Sequence, residues 1–165
     1  MISLHRILVA TDFGEAAEAA LSYGRELARA FHATLTVLHV ADNVLAAGYG
    51  IEGYAGAYPD LQRSVEESAR KQLEVVLSEE DARELGATTV LRVSNAPALT
   101  IVNFARDEGS DLIIMGTHGR GPMAHLLMGS VAERVVRTAP CPVLTVKHPE
   151  HEFVLPDALV RVARA

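Results

Sequence analysis

Five short runs dominated by β-branched and aliphatic residues recur along the chain, at Arg6 to Ala10, Thr34 to Val40, Thr88 to Val93, Leu112 to Gly116 and Pro142 to Val146. Runs of this length, nearly continuous in apolar residues and bounded by turn formers, read as strands buried on both faces. Between successive runs lies enough chain for a helix, and those segments repeat their apolar residues with a period near 3.6. The resulting order β-α-β-α-β-α-β-α-β makes each connection a crossover, which parallel pairing requires. A parallel sheet must also be covered on both faces. The predicted class is therefore α/β, a doubly wound five-stranded parallel sheet with helices on both faces.

The helical segments carry start and stop signals. In the first, Ala17, Ala20, Leu21, Gly24, Leu27, Ala28 and Phe31 form the apolar stripe. A second is predicted from about Leu61 to Leu85, with Val65, Ala69, Leu73, Val76 and Leu77 facing inward and Gly86 at the C′ position. In the third, Pro97 is an N1 proline, Ile101, Val102 and Ala105 form the stripe, and Gly109 closes the helix. The fourth opens at Ser130-Val131-Ala132-Glu133, an S-x-x-E pattern that predicts a capping box, with Arg137 near the negative end of the dipole. Asp42 to Asp60 contains Gly48, Gly50, Gly53 and Gly56 and reads as an excursion between strand two and helix two. The tail, Lys147 to Ala165, leaves the sheet after Val146; Phe153, Val154 and Leu155 followed by Ala158 to Val162 would form a short amphipathic helix in need of a surface.

Composition narrows the function classes. A length of 165 residues suits one compact domain with a terminal extension. Hydrophobic residues at 49% and charged residues at 22% support a real core. A formal charge of −6 opposes a nucleic-acid-binding face, which draws on clustered Lys and Arg. The single cysteine, Cys141, forms neither an intramolecular disulfide nor a thiolate metal cluster and suits a reducing compartment. Met1 to Val9 is interrupted by His5 and Arg6, and no run approaches the roughly 18 apolar residues of a membrane helix. A soluble, cytoplasmic protein without a membrane or nucleic-acid partner is the expectation.

In an open parallel sheet, ligands bind beyond the C-terminal strand ends where the strand order reverses. Strands one and four are the candidates, leaving as Ala10-Thr11-Asp12 and Met115-Gly116-Thr117-His118-Gly119. The segment Gly119 to Gly129 then leads into the Ser130 helix, whose free N–H groups and positive dipole end suit an anion. Glycines there let phosphate oxygens approach the backbone, and His118, Arg120 and His125 add local positive charge. The loop lacks the lysine of a Walker-type site, and no general base or dedicated metal carboxylate accompanies it, which argues against fast hydrolysis.

Gly116-x-x-Gly119, nine residues, then Gly129-Ser130 matches the G-2x-G-9x-G-[ST] pattern, and in this the sequence resembles the nucleotide-binding members of the universal stress protein family. Ile7 to Asp12, Val37-Leu38-His39-Val40, Ile113 to Gly119 and Cys141-Pro142-Val143-Leu144 look like the same family, and the likeness covers about residues 1–147, leaving 148–165 as an extension. The resemblance implies strand order 3-2-1-4-5 and binding of ATP, with or without magnesium. It implies adenine contacts from Asp12 and the Val40 backbone, ribose contacts from Thr11, Met115 and Gly116, and phosphate contacts from Gly119, Gly129, Ser130 and Val131, with Ala10, His118 and Arg120 in the same site. Ala10 stands where related sequences often carry proline. The family also implies a homodimer through strand five, Pro142 to Val146. The expected function is an ATP-binding stress-response module, a regulatory or protective binding protein with at most weak ATP hydrolysis or autophosphorylation. A nucleotide-independent adaptor and a slow ATPase or phosphotransferase are the alternatives.

Several patterns invite other readings. Gly48-x-Gly50-x-x-Gly53 trails strand two and opens no helix, so it fails as a dinucleotide fingerprint. His148 and His151 flank a proline and lack a third ligand, which opposes a metal site. Ser130 is not in a G-x-S-x-G elbow, Cys141 reads as packing, Glu79-Glu80-Asp81 reads as a solvated helix face, and Asp12 has helix capping as its bland role.

Overall fold

The computed structural model describes residues 2–47, 58–117 and 128–149. Strands β1 (Arg6–Thr11), β2 (Thr34–Ala41), β3 (Thr88–Val93), β4 (Leu112–Gly116) and β5 (Val143–Val146) form one parallel sheet in the order β3-β2-β1-β4-β5. Ile7 stands opposite Leu35 on one side and Leu112 on the other, so β1 is central and the order reverses at it. The strands fall within one residue of the apolar runs. Among the described residues, no helix is long and apolar enough to cross a membrane.

Helices α1 (Glu15–Phe31), α2 (Val44–Ala47), α3 (Tyr58–Val76), α4 (Glu79–Leu85), α5 (Pro97–Asp107) and α6 (Ser130–Thr138) follow in chain order. Side-chain alternation along the strands sorts the core into two layers. Ile7, Val9, Leu35, Val37 and Ile114 pack with Ala20, Leu21 and Ala28 of α1, Leu73 of α3 and Leu85 of α4. Leu8, Ala10, Leu38, Ile113 and Met115 pack with Ala98, Ile101 and Ala105 of α5 and Ala132 and Val135 of α6. Helix α1 lies close to the sheet at Gly24, where a Cβ would sit 2.6 Å from the Val9 Cγ2 atom. Gly86 caps α4 in the left-handed conformation expected of a C′ glycine.

Four expectations need correction. The long second helix is two helices, because Ser78 breaks the run. Its hydroxyl accepts from the Asp81 N–H at 3.1 Å, and Asp81 accepts from the Ser78 N–H at 3.0 Å, closing a capping box for α4. The acidic run is accordingly not a simple solvated face: Asp81 is buried, and the Arg25 Nε donates to it at 3.0 Å while Arg25 Nη2 donates to the Val76 carbonyl. The S-x-x-E box at Ser130 does not form, since Gly129 is the N-cap and Glu133 instead pairs with Arg137 at 2.9 Å, one turn on. Phe31, at the end of the α1 stripe, is 37% exposed. The excursion after β2 carries α2; residues 48–57 and the tail from residue 150 lie outside the described residues.

Burial works against ionisation of Asp81, but the Ser78 backbone N–H and the Arg25 guanidinium outweigh it and hold the carboxyl below the usual range. A carboxylate whose folded pKa lies below its unfolded value of about 3.9 contributes stability above that pH and loses it as pH falls through the folded value. Asp81→Asn should therefore cost about 1–3 kcal/mol at pH 7, a lost charge-assisted hydrogen bond. The gap to wild type should shrink as pH drops below about 4. Thermal melts across pH check both statements, and a gap independent of pH would contradict them.

Candidate functional site

The C-terminal ends of β1 and β4 lie side by side, with Ala10 paired to Met115. Ala10 and Met115 are buried in the layer beneath α5 and α6. Thr11, the last residue of β1, is buried, and its Oγ1 accepts from the Phe13 N–H at 3.0 Å. Asp12 does not cap α1; its Oδ1 accepts from the Gly14 N–H at 3.0 Å in an Asx turn, and Gly14 itself is the N-cap. Phe13 between them has φ +63°, the left-handed region, and the His39 Nδ1 lies 2.8 Å from the Thr11 carbonyl oxygen. The strand-one exit is thus a tight turn held by its own side chains and by His39 of β2.

At the other wall, Gly116 ends β4 under the first turn of α1. A Cβ at this position would lie 2.9 Å from the Ala16 Cβ and 3.0 Å from the Ala16 carbonyl carbon. Glycine is thereby required by packing alone, whatever else it does. The Thr117 N–H donates to the Val146 carbonyl at 2.8 Å, and the Thr117 carbonyl accepts from the Gly129 N–H at 2.7 Å. That second bond closes the base of the β4–α6 loop and seats the α6 N-terminus beside the end of β4. Gly129 has φ −70° and ψ 153°, extended backbone open to any residue, so its chain conformation does not demand glycine. The Glu133 N–H closes the first turn on the Gly129 carbonyl, which leaves the N–H groups of Ser130, Val131 and Ala132 without intrahelical partners. His118, Gly119, Arg120 and His125 lie outside the described residues.

A third wall comes from β2. Val40 packs partly buried against the second core layer. Just beyond it, the Asn43 N–H donates to Asn95 Oδ1 at 2.7 Å, and Asn95 Nδ2 donates back to the Asn43 carbonyl at 3.0 Å. Gln62, a buried polar residue, accepts from the Val44 N–H at 2.8 Å and reaches the Asp42 carbonyl. These clamps on the strand-two exit are absent from the sequence reading. The available signal for Gln62 is a polar residue in step with Val65, Ala69 and Leu73 on an apolar stripe.

Away from the strand ends, the Cys141 thiol has its pKa raised, first by burial and then by the negative charge of Asp111, which suits packing rather than nucleophilic work. Asp111 accepts from the N–H groups of His5 and Arg6 at 2.7 and 2.9 Å, which hold its carboxyl below the usual range and tie the start of β1 to that of β4. Among the described residues, no group of three His, Cys, Asp or Glu side chains could hold a metal ion.

A central strand flanked by β2 and β4, a tight turn after it and a helix N-terminus at the neighbouring exit define a doubly wound fold, in which the switch point is the candidate site. The chain belongs to the universal stress protein family, whose sequence profile matches residues 3–147. It is 32% identical over 148 residues to the universal stress protein MJ0531 of Methanocaldococcus jannaschii, covering 89% of this chain and 84% of the relative. A universal stress protein of Thermus aquaticus is 33% identical over 144 residues, 86% of this chain and 97% of the relative. Among solved structures, MJ0577 of M. jannaschii superposes with a TM-score of 0.72 at 31% identity, covering 89% of this chain and 98% of that one. UspA of Lactobacillus plantarum superposes at 0.68 with 25% identity, covering 88% and 99%.

The contact at Gly116 gives a direct test. Gly116→Ala should destabilise the fold by about 1–3 kcal/mol through overpacking, measured by urea denaturation. Adding Ala16→Gly, which removes one of the two colliding atoms, should recover part of that loss. An unchanged urea midpoint for the single variant would mean that α1 does not sit on β4 in this way.

Proposed function

We propose that this protein binds ATP across the exits of β1, β2 and β4 and acts as a nucleotide-dependent regulatory or protective module. The observation that carries the reading is the Gly129 to Thr117 hydrogen bond at 2.7 Å, which seats the first turn of α6, with N–H groups that have no intrahelical acceptor, at the exit of β4, the strand paired with the β1 that leads into the Asp12 turn. One end of the crevice therefore favours negative charge and the other offers a carboxylate. In this reading Gly129, Ser130 and Val131, with Gly119, His118 and Arg120 from the loop, hold the phosphates. Thr11, Met115 and Gly116 line the ribose, Ala10 supports the floor, and Asp12 with the Val40 backbone accepts and donates to adenine. Magnesium, where present, would travel with the phosphates. Two further structures of this fold, each 22% identical to the chain, are complexes with cAMP and dAMP, and at that distance they speak for the fold alone. A reducing, cytoplasmic setting suits the single cysteine.

Mass analysis of small molecules released by denaturing freshly purified protein tests the reading, followed by titration with ATP. No nucleotide and no binding would favour an adaptor. Gly129→Val should weaken ATP affinity by at least about tenfold by crowding the phosphates, with circular dichroism unchanged. Since the backbone at Gly129 admits valine, unaltered affinity would remove Gly129 from the site. ATP turnover should stay far below about 10 per second, because the sequence around the site shows no evident general base to orient a water; several turnovers per second abolished by Gly119→Val would reveal a missing catalytic group.

The reading extends to assembly. Strand β5 lies at a sheet edge with Val143 and Leu144 only partly buried, and an apolar edge of this kind tends to be paired. A homodimer through β5 is proposed, with the tail over the edge or on the partner. Light scattering should return a dimer mass, with lower dimer stability for a chain ending at His148. A monomer would refute the assembly.

A further inference from the structure

We infer that His39 is the positioning residue of the β1–α1 turn, holding it in the one conformation that presents Asp12 to a purine base. This inference rests on the nucleotide reading above. His39 stands opposite Thr11 in the β1–β2 register, two residues after Val37 and therefore on the α1 face of the sheet. Its Nδ1 lies 2.8 Å from the Thr11 carbonyl oxygen. A carbonyl only accepts, so Nδ1 carries the proton and donates. On the same side, the imidazole meets the Phe13 ring with centroids 4.4 Å apart and planes 39° from parallel. Both contacts of His39 thus go to the turn that follows β1.

That turn needs outside support. Phe13 has φ +63°, a conformation L-residues avoid because Cβ crowds the following carbonyl oxygen. Such a residue persists when its surroundings over-determine it, and these sites cluster where a ligand is clamped. Two of the restraints are local, Thr11 Oγ1 on the Phe13 N–H and Asp12 Oδ1 on the Gly14 N–H. The His39 contacts come from another strand, β2, whose next residue is Val40. One imidazole therefore fixes the Asp12 turn relative to the strand end that would carry the other adenine contact. A leucine would fill the same space within the run Val37 to Ala41, where every other residue is apolar, without the donor or the polar tip.

The phosphate end is built separately, from the Thr117 to Gly129 closure on the far side of β1. Loss of His39 should consequently degrade base recognition and leave phosphate binding intact, a split that a general packing role would not produce. The test uses the full chain as wild type, His39→Ala and His39→Asn. The asparagine Nδ2 hangs from Cγ as the histidine Nδ1 does and can restore the donor. Hydrogen exchange of residues 11–14 without ligand is combined with calorimetric titration of ATP, GTP and inorganic tripolyphosphate.

In His39→Ala, the Phe13 and Gly14 amides should exchange at least about tenfold faster, and ATP affinity and the preference for ATP over GTP should each fall about tenfold. Tripolyphosphate affinity should move by less than about twofold, and His39→Asn should recover most of each loss. Unchanged exchange in His39→Ala, equal losses for all three ligands, or an asparagine variant no better than alanine would overturn the inference. A wild-type chain that binds none of the ligands would instead refute the nucleotide reading, and with it the presentation of a base. The exchange comparison would then still show whether His39 holds the turn.

Discussion

Everything at the candidate site follows from β1 pairing in parallel with β2 on one side and β4 on the other. The chain leaves β1 and β4 at the same end of the sheet and travels to opposite faces, and it is at such a reversal of strand order that open α/β sheets form a crevice. The pairing itself is maintained by burial on both faces: Leu8, Val9, Ile113 and Ile114 are wholly buried, split between the two layers by simple alternation. At the opposite end of the strands Asp111 locks the starts of the same two strands together through the His5 and Arg6 amides. The crevice is thus a consequence of topology before any functional residue is considered.

How closely the walls approach is set by small groups. Helix α1 rests on β4 through Gly116 and on β1 through Gly24, both positions where a Cβ would collide. The motif glycines therefore do different jobs. Gly116 is needed for packing, while Gly129 is conformationally ordinary and is notable for where its N–H is held. A spacing pattern that looks uniform in sequence divides into a glycine that packing requires and one whose backbone any residue could adopt.

The sheet was legible in the sequence because a strand buried on both faces leaves an unbroken apolar run, whereas the strand order came only with the family resemblance. Helix boundaries were harder. The apolar period runs through Leu77, hiding the break at Ser78, and the capping box that makes the break uses aspartate, within an acidic run that reads as surface. The more recognisable S-x-x-E at Ser130 forms no box, because tertiary pairing of the Gly129 N–H with Thr117 makes Gly129 the cap. The same local pattern competes with long-range hydrogen bonds, and only the fold decides. The strand ends that build the site were visible as polar or glycine residues after apolar runs. The supports behind them, Gln62, the Asn43–Asn95 pair and His39, depend on contacts across as many as 52 residues of chain and leave only faint signs, such as a polar residue in an apolar stripe or strand.

Amide chemical-shift mapping with ATP tests most directly whether the ligand lies at the switch point. The shifts should concentrate at residues 11–14, at Gly116 and Thr117 and at Gly129 to Val131, with the edge strands β3 and β5 little affected. Saturable binding whose shifts centre on β3 and α5, or no shifts at all at millimolar ATP, would contradict it.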